Sequence, residues 1–151
     1  MSKFKSKYQI IKEHNIVLEY HSGPIDAKSF ISFKHNLSLD PNFKPGLKYF
    51  VNLQDVSFDI SQNDIQEYVE FLGAKSKIFG ERQVALITNT PNQVVNTTLF
   101  KSTNPMKSEA IEIFSTNETA FDWLNLKNLS FNDFKLLIES LESLESYSEF
   151  I

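Results

Sequence analysis

Apolar and polar positions change period several times along this chain, and each change marks an element. Residues 8–23 (YQIIKEHNIVLEYHSG) hold two apolar runs split by the polar 12–15 stretch, the pattern of a β-hairpin turning near His14. Gly23-Pro24 ends the second run. Asp26 is placed to cap the next segment, where Ala27, Phe30, Phe33 and Leu37 recur at helical spacing until Asp40-Pro41 stops it. After the turn-rich DPNFKPG, residues 47–53 (LKYFVNL) are almost continuously apolar and aromatic, as a strand covered on both faces requires.

Ser61 followed by Asp64 has the spacing of a capping box, and Ile65, Tyr68, Val69, Leu72 and Phe79 then predict a second helix that ends at Gly80. Residues 84–88 (VALIT) read as a buried strand, and Asn89-Thr90-Pro91 supplies an N-cap and an initial proline for a third helix bearing Val94, Val95 and Leu99. Residues 110–114 (AIEIF) alternate like an edge strand. Ser115 with Glu118 opens a helix carrying Ala120, Phe121, Trp123 and Leu124, and Ser130 with Asp133 opens a last one. Strands alternating with helices imply an α/β domain with a mostly parallel sheet of four to five strands, entered through an antiparallel hairpin.

The last helix is amphipathic, with Phe134, Leu137, Leu141 and Leu144 on one face and Glu139, Glu142, Glu145 and Glu149 on the other. Its apolar stripe is expected to face the domain's own sheet or a second copy of the chain. At 151 residues the chain is large enough to bury a core without staples. It has no cysteine, which removes disulfides, thiolate metal sites and a cysteine nucleophile and makes the cytoplasm the expected location. The longest aliphatic run, Val84–Ile87, is far too short to span a bilayer. With 15 basic against 19 acidic residues, and Arg82 as the single arginine, no nucleic-acid partner is expected.

Candidate chemistry is sparse. The three histidines, His14, His21 and His35, show no metal-ligand spacing, and no G-x-S-x-G elbow accompanies His21-Ser22. Asp55, Asp59 and Asp64 fall near the carboxyl end of the central strand, where open α/β sheets bind ligands. They lack the spacing and glycine of an EF-hand loop, and Asp64 is accounted for as a capping residue. No cofactor or metal is expected, and with no converging nucleophile, acid or base the chain is read as non-enzymatic.

Four segments in this order resemble SpoIIAA-like (STAS-like) domains, the relatives of sulfate-transporter and anti-sigma-factor-antagonist modules that include a stand-alone bacterial branch. They are IVLEYHSGPIDAKSF, DPNFKPGLKYFVNLQDVSF, RQVALIT and EIFSTNETAFDWL. The resemblance covers residues 8–126 and implies a β/α superhelix with helices packed on the sheet. Residues 1–7 are then expected to be a basic tail, and residues 130–151 an additional C-terminal amphipathic helix. It also implies a regulatory module that binds a protein partner, with a second copy of itself as one candidate.

In the phosphorylated members of such families a serine opens the helix after the central strand, and Ser61 takes that place here. Ile60 and Asn63 stand where those members carry aspartate and glycine, and Asn52 where many stand-alone relatives carry aspartate. Ser61, Asp59 and Asp55 are therefore the candidate phosphorylation or partner-contact residues. The alternative reading is a small-molecule or lipid-binding module related to CRAL-TRIO-type domains, with a small hydrophobic ligand held between the second and third helices by Tyr68, Leu72 and Leu99.

Overall fold

The computed structural model describes residues 3–104 and 110–144. Five strands form one sheet in the order β1-β2-β3-β4-β5: β1 (Lys5–Ile11), β2 (Ile16–Pro24), β3 (Lys48–Ser57), β4 (Gln83–Ile87) and β5 (Ala110–Phe114). β1 and β2 are antiparallel, joined by a 3-10 turn at Lys12–His14 and a left-handed Asn15, so the turn falls where the sequence places it. All later pairs are parallel. The helices are α1 (Ala27–Ser38), α2 (Gln62–Ala74), α3 (Ser76–Phe79), α4 (Pro91–Thr103), α5 (Asn117–Leu124) and α6 (Phe131–Ser143).

Period-two alternation divides the core between the two faces of the sheet. Val17, Tyr49, Val51, Leu53, Val84 and Leu86 pack beneath the connecting helices. Leu18, Phe50, Ala85 and Ile87 point the other way, onto Ala120, Leu124, Phe134, Ile138 and Leu141 of α5 and α6. Strands that advance stepwise across a sheet with right-handed crossovers place every connecting helix on one face. The second face is left for α5 and α6, and the fully buried Phe134 meets Phe50 edge-on at 5.1 Å.

The structure differs from the sequence reading in several places. Lys5–Lys7 belong to β1, inside the segment expected to be a tail. Three polar residues in a row suit an edge strand, and Lys5 pairs with Ser22. The second helix breaks at Lys75 into α2 and the single turn α3, and Gly80, at φ 69°, turns the chain toward β4. A Cβ at Gly80 would lie 2.9 Å from Pro45 and from the backbone of Gly46, so close approach demands glycine as well. On α4 the expected apolar face is turned outward: Val94 and Val95 are 43% and 65% exposed while Gln93 and Thr97 are buried. Thr116, one residue after Ser115, caps α5. The C-terminal helix is described only as far as Leu144, its C-cap; Glu145, Glu149 and the rest of the 130–151 segment lie outside the described residues.

Candidate functional site

A cavity of about 90 Å³ lies on the face covered by α1, α2 and α4. Its floor is Val51 and Leu53 of β3 with Val84 and Leu86 of β4, same-face residues brought side by side by the Tyr49↔Val84 and Val51↔Leu86 register. The walls come from α1 (Ala27, Phe30, Lys34), the first turns of α2 (Asp64, Ile65, Tyr68) and α4 (Asn96, Thr97, Phe100). One aromatic from each helix closes over it: Phe30 meets Tyr68 at 4.8 Å, and Tyr68 meets Phe100 at 5.5 Å. Phe58 and Ile60 of the β3–α2 loop, with Ile25, complete one end. Space remains because α4 points short polar side chains inward. Gln93 is consumed beside the cavity, its amide donating to Gln54 O at 3.0 Å and Val56 O at 2.9 Å and its Oε1 accepting from Asn89 N–H at 2.7 Å.

Against this cavity stands a buried polar group for which strand pattern reading had no motif. Val17, Glu19 and His21 alternate on β2, so the inward register that buries Val17 also buries a carboxylate and an imidazole, both fully. Glu19 accepts from Lys34 Nζ and from His21 Nε2, the latter at 2.9 Å. Burial alone would raise the Glu19 pKa; the charge of Lys34 and the hydrogen bonds from His21 and Lys34 outweigh it and hold the group at about 2. An ionised Glu19 requires the Nε2 proton on His21, which leaves Nδ1 to accept from Ser6 Oγ at 2.7 Å. The imidazole is enclosed by Phe4, Phe30 and Phe33 at 5.6, 5.0 and 4.9 Å, and this burial lowers its pKa. Arg82 completes the set: Lys34 Nζ and Arg82 Cζ lie 4.7 and 4.9 Å from the Tyr49 ring centre. Lys34 and Arg82, but neither Glu19 nor His21, line the cavity.

The residues singled out in the sequence are placed as follows. Ser61 caps α2, its Oγ accepting from Asp64 N–H at 3.2 Å while Asp64 Oδ2 accepts from Ser61 N–H at 2.9 Å and Oγ–H at 3.0 Å. Asp59 is exposed in the preceding loop, and Asp55 is exposed on β3. Asp55 accepts from the Tyr20 hydroxyl, whose pKa is raised by burial and by that carboxylate. Asp55, Asp59 and Asp64 do not form a shared ligand set, and among the described residues no three histidine or carboxylate side chains gather. Of the three expected pocket residues, Tyr68 lines the cavity. Leu72, one turn further along α2, is buried outside it, and Leu99 is turned away from the Asn96, Thr97 and Phe100 face of α4. The inward polar residues Glu19, His21 and Lys34 were missed, although Glu19 and His21 stand two and four residues after Val17 in a strand.

The backbone arrangement has a solved counterpart. An uncharacterised protein of the DUF3478 family with a SpoIIAA-like fold, from Shewanella loihica PV-4, superposes with a TM-score of 0.56 over 82% of this chain and 97% of its own, at 14% sequence identity. The fold is SpoIIAA-like. No family model and no curated protein matches the sequence. Within this SpoIIAA-like frame, α6 is the additional C-terminal helix and packs on β1, β2 and α5 of its own domain. Among the described residues no helix is long and apolar enough to cross a membrane.

Proposed function

We propose that this chain is a non-enzymatic binding module that holds a small hydrophobic ligand in the cavity between α1, α2, α4 and the sheet. The observation that carries the reading is the cavity itself: preformed, aromatic-capped and floored by Val51, Leu53, Val84 and Leu86, with few polar groups in its wall. Ser6, His21 and Glu19 stand in the order of a nucleophile, base and acid, but the imidazole is enclosed by three phenylalanines and lies outside the cavity wall. That enclosure supports a structural role for the chain of hydrogen bonds. Native mass spectrometry of the protein purified from its host tests the reading. A retained small molecule that is lost from Ile60→Trp, which enlarges a side chain of the cavity wall, is the expected result. A wild type that neither retains a ligand nor takes up an apolar fluorescent probe would overturn it.

A protein-partner role at the β3–α2 loop is favoured by one further observation. Ile60 contributes to the cavity wall, while Asp59 and Ser61 on either side of it are exposed. A ligand that presses on Ile60 would thereby alter the surface offered by its neighbours. An affinity pull-down with wild type and Ser61→Asp tests this, with a partner lost from the variant as the expected outcome. A partner bound equally by both would remove Ser61 from the contact.

A further inference from the structure

The polar residues of the cavity wall are not equivalent, because several are already consumed by the protein. Lys34 donates to Glu19, Arg82 lies 4.9 and 5.4 Å from the Tyr49 and Phe79 ring centres, and the Thr97 hydroxyl donates to Gln93 O at 2.8 Å. Two acceptors remain. Asn96 donates through Nδ2 to Asn92 O at 2.8 Å, which leaves its Oδ1, and Asp64 spends Oδ2 on the Ser61 N–H and hydroxyl, which leaves its own Oδ1. Neither Oδ1 takes a hydrogen bond among the described residues. The two side chains also stand side by side. α2 and α4 follow the parallel strands β3 and β4 and run in the same direction. Near their start Asn92 accepts the Phe58 N–H and donates to Phe58 O, both at 3.0 Å, and two turns further on Phe100 meets Tyr68 at 5.5 Å. Asp64 and Asn96 lie one turn before Tyr68 and Phe100, so they share one level of the wall, both half-buried.

Resting on the ligand reading above, we propose that the ligand is an amphiphilic primary amine, its ammonium group held between Asp64 and Asn96 and its hydrocarbon along Val51, Leu53, Val84 and Leu86. Three N–H donors can serve both oxygens, and the positive charge is answered by Asp64, the single acid in the wall. A hydroxyl has one donor to give, and a carboxylate has none. Phe58, Tyr68 and Phe100 line the cavity around this level, and aromatic rings attract a cation. Arg82 is remote from the pair: it precedes β4 at the amino end of the strand, whereas the first turns of α2 and α4 stand at the carboxyl ends. The net charge of −4 favours the approach of a cationic guest.

Isothermal titration of the full chain at neutral pH with octylamine, 1-octanol and octanoate tests the proposal. Octylamine should bind about tenfold more tightly than 1-octanol, as charge-assisted hydrogen bonds replace neutral ones, and octanoate more weakly than both. Asp64→Asn, which leaves Ser61 to cap α2, should abolish the preference for octylamine over 1-octanol. Glu67→Gln, which removes an exposed acid of the same helix outside the cavity wall, should leave that preference intact. If Asp64→Asn does not fold, Asn96→Leu takes its place, and the preference should shrink there too. Octylamine bound no more tightly than 1-octanol or octanoate, or an unchanged preference in the folded variant, would overturn the amine assignment and leave the cavity reading standing. Binding of none of the three probes would remove both.

Discussion

A single inward register position explains the least expected feature of this protein. Placing Glu19 two residues after Val17 commits a carboxylate to the interior, and the surroundings answer with Lys34, His21 and Ser6. Removing one partner of such a group leaves an uncompensated buried charge, so Lys34→Met should cost about 3–5 kcal/mol in urea unfolding. The same cluster sets a pH dependence. Both Glu19 and His21 have folded pKa values below their ordinary ones, so each contributes stability that is complete above the ordinary value and is lost on acidification. Stability should first fall below His21's ordinary 6.5, and fall again from 4.5 toward about 2 as Glu19 titrates. His21→Gln should abolish the upper step and keep the lower one. Urea midpoints measured across this range check both; a flat response through the upper step would contradict the buried neutral imidazole.

At the scale of the element, helix starts follow the sequence closely, while the buried face of α4 does not. Ser61, Thr90, Thr116 and Ser130 each cap a helix by accepting from the N–H three residues on. For Ser61→Ala the expected loss is about 0.5–2 kcal/mol, and Ser61→Asp, itself a cap that also favours the helix dipole, should cost less. On α4 the energetic order is the reverse of hydrophobicity. Gln93→Ala strips two β3 carbonyls of this donor, the Val56 one buried, and should cost about 1–3 kcal/mol, whereas Val95→Ala at an exposed site should stay within about 0.5 kcal/mol. Thermal melts of the pair discriminate the two faces: a larger loss from Val95→Ala would show that the apolar residues are the ones that pack. Amphipathic reading cannot detect such a helix, because the groups that need satisfying belong to a strand far away in sequence.

Across the whole molecule, the sequential strand order leaves one sheet face uncovered until the last two helices return to it. α6 therefore completes the second core, and its Phe134, Ile138 and Leu141 are almost fully buried. Phe134→Ala should destabilise the protein by about 3–5 kcal/mol, as expected for a large aromatic removed from a closed core. Its ring contacts Phe50 and Phe121 at 5.1 and 5.0 Å, so the loss would be felt by the central strand and by α5 together. A small change in unfolding midpoint would mean that the helix stabilises something other than this sheet.

The elements themselves were legible because they depend on near neighbours. The hairpin at His14, the caps at Asp26, Ser61 and Ser130, the prolines at 41 and 91 and the apolar run at 47–53 are local effects of sterics, hydrogen bonding and periodicity, and from them the parallel α/β sheet follows. The candidate site was legible only at Tyr68. Its floor depends on the pairing of β3 with β4, its walls on three helices that meet through Phe30, Tyr68 and Phe100, and the placing of Lys34 and Arg82 in its wall on both reaching the Tyr49 ring. A charged residue in a strand or helix reads as a solvated position until a distant partner is placed against it. Chain order and periodicity decided which way each element faces in general; only tertiary packing decided that Glu19, His21, Lys34 and Arg82 face inward, because burying a charge is tolerable only where its partner is already waiting.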